Sequence, residues 1–144
     1  MRKMIAITLT AGAVFAAGLA LPAVMAEEEG VEAKNPELIS LRFYADWCGF
    51  CRQLDAMLDE VKREFEDQPV LFTHVDLTDE YTTEQSGLLA AQLGLGAAFE
   101  EYGNSTGDMA LIDPATGEVK DHITHDVTED ELRERIAAAL PSAA

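Results

Sequence analysis

Cys48 and Cys51 are the only cysteines of the 144 residues, and they stand two residues apart beside the only tryptophan, in Trp47-Cys48-Gly49-Phe50-Cys51. When the second cysteine of such a pair lies in the first turn of a helix, the sulfurs come within disulfide reach and the first sits at the helix N-terminus. Unpaired backbone N–H groups and the positive end of the helix dipole favour a thiolate there. Cys48 is therefore the attacking sulfur, and Cys51, one turn further in, is the thiol that resolves a mixed disulfide by attacking Cys48. Gly49 lets the turn approach a partner chain closely. Two other readings compete with a redox dithiol: a structural clip and half of a zinc site. A disulfide closing so short a loop contributes only about 2 kcal/mol, and zinc usually takes four ligands, with three histidines available to complete them.

Those histidines are the remaining candidates for chemistry. His74 falls in an apolar run with Phe72 and Asp76 on the same face, and a dithiolate joined by His74 is a donor set for copper(I) or zinc. A metal-handling binding protein is the alternative function. His122 and His125 flank the last strand, three residues apart and hence on opposite faces, which argues against their chelating one ion.

The elements that must position the dithiol are legible on either side of it. Leu38, Ile39, Leu41, Phe43, Tyr44 and Ala45 form a largely apolar run, as expected of a strand covered on both faces, with Arg42 the exception. After the cysteines, Phe50, Leu54, Met57, Leu58, Val61 and Phe65 recur at three- and four-residue steps, while Asp55, Asp59, Glu60, Lys62, Arg63 and Glu66 take the other face of a helix. Asp67-Gln68-Pro69 stops it. Val70 to Val75 is a second strand ending at Asp76. A short helix through Leu88, Leu89 and Leu93 starts near Thr82 or Thr83 and ends at Gly94 and Gly96. Ala97 to Gly107 reads as a loop, with at most a helical turn, beside the site. Met109 to Ile112 is a strand, Asp113 to Gly117 a turn, and Glu118 to Thr124 the return strand of a hairpin. Thr128 with Glu131 three residues on is a capping box for a last helix whose apolar face is Leu132, Ile136, Ala139 and Leu140, closed by Pro141.

Ahead of these elements, Arg2 and Lys3 precede an uncharged run from Met4 to Ala26 that closes on Val24-Met25-Ala26. A basic start, a short apolar core and small residues three before and one before the cut read as a cleavable secretory signal over residues 1–26; an uncleaved anchor is the alternative. Residues 27–36 are an acidic leader, and one domain spans 37–141. Cleavage removes two basic residues and no acid, so the formal net charge of −17 becomes −19. Such a surface repels nucleic acid and anionic lipid. The expected location is periplasmic or secreted, with no stable membrane insertion after cleavage and a monomeric state. One close cysteine pair in an exported chain fits a dithiol enzyme better than a disulfide scaffold.

Tyr44-Ala-Asp-Trp-Cys-Gly-Phe-Cys51 resembles the active-site stretch of the thioredoxin superfamily, and the order strand, helix, strand, helix, strand, strand, helix is similar to its minimal fold. The resemblance runs from about Leu38 to Leu140 and is nearest to exported members that carry reductant into the periplasm. It implies an α/β class with a central mixed sheet of about four strands flanked by helices. It also implies Cys48 as nucleophile, Cys51 as resolving thiol, Trp47 as a flat platform for partner chains with Gly49 and Phe50 beside it, and no cofactor. Its partners would be cysteine-containing protein substrates and a redox-recycling protein. Phe50 stands where such motifs commonly carry proline or histidine.

Three departures from that pattern bear on the chemistry. The family's buried acid six residues before the first cysteine is here Arg42, which cannot accept a proton. Arg42 either points at the sulfurs and tunes the thiol pKa by stabilising a thiolate, or turns to the surface or to an acid such as Asp76. The family's cis-proline opposite the cysteines falls here at Thr106-Gly107-Asp108, so Thr106 and Gly107 are the expected substrate contacts; either Gly107 takes the backbone shape unaided or substrate binding differs. Between Asp76 and that place there are about fifteen more residues than in a compact thioredoxin, mostly Ala97 to Ser105, either a candidate specificity element bordering the site or a surface decoration.

Overall fold

The computed structural model describes residues 35–141. The expected signal, residues 1–26, and the leader up to Lys34 lie outside the described residues. Within them β1 (Leu38–Tyr44), α1 (Gly49–Glu64), β2 (Val70–Asp76), α2 (Glu80–Gln92), α3 (Gly96–Tyr102), β3 (Met109–Ile112), β4 (Val119–Ile123) and α4 (Glu129–Ala139) follow in order. The four strands make one mixed sheet in the order β2-β1-β3-β4, with β1 parallel to β2 and antiparallel to β3. This is the α/β architecture that the resemblance implies.

β1 is central, which explains its near-continuous apolar run: one face of the strand meets each of two helical layers. Leu38 packs with Leu54, Leu58 and Val61 of α1 and with Leu132, Ile136 and Ala139 of α4. Ile39, Leu41 and Phe43 point the other way, against Ala90 of α2 and Ala98 of α3. The dithiol follows the end of the strand on which both cores converge.

The termini of α1 and α4 obey simple capping chemistry. Lys62 and Arg63 occupy the last turn of α1, where cations complement the dipole. Thr128 accepts from the Glu131 amide while Glu131 reaches back to the Thr128 N–H, the capping box expected from sequence. Arg133 of α4 then bonds Glu64 of α1 at 2.7 Å, and Arg135 bonds Asp121 of β4 at 2.7 Å.

Two elements differ from the sequence expectation. α2 begins at Glu80 rather than near Thr82, because Asp79 takes the N-cap and exchanges bonds with Thr82 in a capping box of its own. It ends at Gln92, capped by Leu93 and followed by Gly94 with a φ of 75°, whereas Gly96 opens a further helix. The segment expected as a loop thus holds the seven-residue helix α3. Phe99 and Tyr102 pack from α3 onto the second core, and Gly87 of α2 makes room for Phe99: a Cβ there would stand 3.0 Å from its ring.

The Arg135 guanidinium holds the Asp121 carboxyl below the usual carboxylate range, chiefly by donating hydrogen bonds to it. A depressed folded pKa contributes stability that is present above the unfolded value and lost as pH falls through the folded one. Asp121→Asn should therefore lower the melting temperature at pH 7, and the gap from wild type should close as pH drops below about 4; thermal unfolding followed by circular dichroism across that range checks it.

Candidate active site: a dithiol at the mouth of α1

β1 delivers the chain to the site and a tight turn lifts it into α1. The Cys48 amide donates to the Ala45 carbonyl at 3.0 Å, leaving Cys48 as the N-cap of the helix with extended backbone. Its Sγ accepts a hydrogen bond from the Cys51 amide at 3.0 Å. That contact is the arrangement expected to favour a thiolate, because the helix donates its free N–H directly to the sulfur. The two cysteines form a disulfide, with Cα atoms 5.3 Å apart. Cys51 is fully buried, its Sγ 3.7 Å from the Phe43 carbonyl, whereas Cys48 keeps 5% of its surface at the rim. Of the two sulfurs, that of Cys48 is the more accessible.

The rim is apolar and exposed. Trp47 is 65% and Phe50 48% accessible. The Trp47 indole N–H donates to the Thr78 carbonyl at 2.9 Å, and the Asp46 amide to Thr78 Oγ1 at 3.0 Å. These bonds tie the platform to the loop after β2. Asp46 also accepts from the Tyr44 hydroxyl at 2.8 Å, so it is a bonded acid. Phe50 shares the spacing of the α1 core residues, yet it lies in the first turn, beyond the reach of the sheet. Its ring packs instead on His125, with centroids 4.1 Å apart.

Gly107 closes the site from the opposite side. Its amide donates to the Phe43 carbonyl at 2.9 Å, and the Phe43 amide donates to the Asp108 carbonyl at 2.9 Å. The segment thereby extends the β1–β3 ladder up to the dithiol. Gly107 has a φ of 89°, and a Cβ on it would lie 3.0 Å from Phe50 Cβ and 3.6 Å from Cys48 Sγ. No cis peptide occurs among the described residues. The backbone shape comes from glycine at this position, and half-buried Thr106 precedes it.

Arg42 is paired with Asp55 of α1, and its guanidinium also lies 5.0 Å from the centre of the Tyr44 ring. The partner is thus an acid one helical turn beyond Cys51 rather than Asp76. Burial draws the Arg42 pKa down from its ordinary value, with Tyr44 and Asp59 acting against it. His74, on the neighbouring strand opposite Arg42, packs edge-on to Tyr44 with centroids 5.7 Å apart. Burial and the Arg42 charge push its pKa down, so His74 is neutral at pH 7. It lines a small cavity with Ser40, Arg42, Lys62 and Phe72, into which neither cysteine opens. Among the described residues no three His, Cys, Asp or Glu side chains are grouped to hold a metal ion.

Sequence reasoning missed two histidine environments. His122 stacks on Tyr102 of α3 at 4.2 Å, and its Nε2 stands 3.4 Å from buried Asp108, which also accepts from Ser105 at 3.0 Å. This cluster fastens the extra helix to the Gly107 turn. His125 lies beyond the end of β4 and reaches the rim through Phe50. A strand-face count could not find it, because it is not in the strand.

Comparison with known proteins agrees with this geometry. The family model described as Thioredoxin matches residues 26–88. Over that stretch, which holds both cysteines, the chain is similar to the thioredoxin family. A protein disulfide-isomerase from Datisca glomerata is 46% identical over 52 residues, covering 35% of this chain and 10% of that protein. Thioredoxin-T of Drosophila melanogaster is 39% identical over 49 residues, 33% of this chain and 31% of its own length. The chain thus spans only about a tenth to a third of the length of these curated relatives. In structure it is similar to a thioredoxin variant from Halobacterium salinarum NRC-1, with a TM-score of 0.50, 20% identity and coverage of 76% of this chain and 80% of that one. MTB dsbF is equally similar, with a TM-score of 0.50, 20% identity and coverage of 73% and 82%. These two likenesses concern the fold.

Replacing Gly107 with alanine should destabilise the domain by about 1–3 kcal/mol, since a side chain is strained at positive φ and would also press on Phe50. Urea unfolding of the oxidised protein measures the loss, and full retention of stability would show that the turn relaxes freely.

Proposed function

We propose that this chain is an extracytoplasmic thiol–disulfide oxidoreductase that exchanges disulfides with cysteine-containing proteins. The observation that carries the reading is the asymmetry of the pair: Cys48 caps α1 and reaches the rim, and Cys51 is sealed behind it. In the reduced protein the Cys48 thiolate attacks one sulfur of a partner disulfide, forming a mixed disulfide and releasing the other partner sulfur as a thiolate. Cys51 then loses its proton and attacks Cys48 Sγ. The Cys48–Cys51 bond reforms, the second partner sulfur leaves, and two electrons have passed to the partner. Run in reverse, the same steps oxidise a partner dithiol. A second redox protein must restore whichever form is consumed.

The exposed Trp47 and Phe50 suit the apolar side chains that flank a cysteine in an unfolded or extended partner segment. Residues 1–26 support export, and no described helix is long and apolar enough to cross a membrane.

Cys48→Ser should abolish turnover in an insulin reduction assay with a chemical recycling thiol, while Cys51→Ser should accumulate partner proteins as mixed disulfides visible on non-reducing gels. Full activity of Cys48→Ser would remove the reading. Export is tested separately, since mature protein recovered from outside the cytoplasm should begin at Glu27.

A further inference from the structure

Gly107 is the point at which the β4–α4 loop meets the dithiol. A Cβ built there would stand 3.6 Å from Cys48 Sγ and 3.7 Å from His125 Cβ, so sulfur and histidine flank the same point. The His125 ring is held toward α1 by its stack on Phe50, the residue between the two cysteines. His125 is exposed and in contact with the site, and the reaction described above gives it no role.

We propose that His125 is a positioning and charge-tuning residue of the dithiol: held on Phe50, its imidazolium stabilises the Cys48 thiolate and raises the oxidising strength of the pair. The proposal rests on the reading of Cys48 as nucleophile. It also gives the protons a place to go. When a partner dithiol reduces the Cys48–Cys51 bond, two electrons enter and the partner's two thiol protons are released. One goes to Cys51 as its thiol, and the other to the His125 imidazole, leaving a Cys48 thiolate beside an imidazolium.

Other charges surround this pair. Asp126 adjoins His125 and feels its charge. Arg135, on α4, acts on the same Asp126. On α1, Arg52 reaches toward Gly49 and bonds the Asp46 carbonyl. Asp108 follows Gly107 but is engaged by Ser105 and His122. Arg52 therefore adds to the cationic side of the balance and Asp126 opposes it. An imidazole is in general the side chain that exchanges its charge near neutral pH, which is why the test is read against pH.

A unit charge within several ångströms of a sulfur at a protein surface, at a dielectric between those of water and protein, changes the thiol–thiolate ratio by about tenfold. The test is the rate of Cys48 alkylation by iodoacetamide in the reduced protein between pH 5 and 9.5, for wild type, His125→Asn and His125→Phe. His125→Phe keeps a ring on Phe50 without the charge. Both variants should alkylate about tenfold more slowly than wild type at pH 6 and at the same rate at pH 9.5. His125→Lys should recover the wild-type rate at pH 6. In a glutathione redox buffer at pH 7, both neutral variants should shift toward the disulfide form. Superimposable profiles for all four proteins would overturn the proposal. A wild-type profile retained by His125→Phe alone would also overturn it, by assigning the effect to the ring stack. Wild-type Cys48 that alkylates no faster than an ordinary cysteine and turns over no insulin would instead refute the reading of Cys48 as nucleophile, and the proposal with it.

Discussion

The hydrogen bond from the Cys51 amide to Cys48 Sγ is the contact on which the rest of the site depends. A helix start leaves its first N–H groups without intrahelical partners, and capping them usually falls to a serine, threonine or aspartate oxygen. Here a sulfur occupies that place. A neutral thiol or disulfide sulfur is a weak acceptor, so the cap is poor until the sulfur carries charge. On reduction the same N–H group and the dipole behind it meet an anion, a favourable interaction of about 0.3–1 kcal/mol at an exposed site and up to about 2 in a partly buried one. The cap and the proposed nucleophile are one atom, and the helix gains from its ionisation.

The Phe43 carbonyl ties the sheet to that atom pair. It accepts from the Gly107 amide at 2.9 Å and stands 3.7 Å from Cys51 Sγ. One backbone group thus meets the buried Cys51 sulfur, the end of the β1–β3 ladder and the segment facing Cys48. The Arg42–Asp55 pair braces the same strand against the same helix. Because Arg42 holds no exchangeable proton at working pH and is engaged by Asp55, it acts as a strut between β1 and α1. A half-buried ion pair is weak evidence of net stability; its geometric effect is to lock α1 in place on the strand that leads to the cysteines.

Most of this frame was legible because periodicity and local chemistry pointed the same way. The α1 stripe of Leu54, Leu58 and Val61, the two-sided apolar run of β1 and the Thr128–Glu131 capping box each carry their signal within a few residues. α3 does not. Seven residues are too few to show a helical stripe, and so short a helix is held by tertiary packing rather than propensity: Phe99 fits against Gly87, and Tyr102 packs on Phe43 and His122. Phe50 follows the helical spacing yet faces the rim, because periodicity gives a face without saying where along the helix the core ends. The His125 contact is between residues far apart in the chain, and only the closed fold brings them together.

Direction of electron flow follows from small terms. Thiol–disulfide exchange breaks one S–S bond and makes another, so bond energies nearly cancel, and about 30 mV between two couples corresponds to only about 1.4 kcal/mol. A single charge beside Cys48 has that magnitude. The family acid that would have occupied the position of Arg42 is absent, and its replacement is spent on Asp55. The groups left to set the potential are therefore those at the rim: the α1 N–H bond to sulfur, Arg52 near Gly49, and His125 on Phe50. Two of the three bear on Gly49 and Phe50, the residues between the cysteines. Phe50 is at once exposed at the rim and the ring on which His125 rests, so on the proposed reading its substitution would change the partner surface and the potential together.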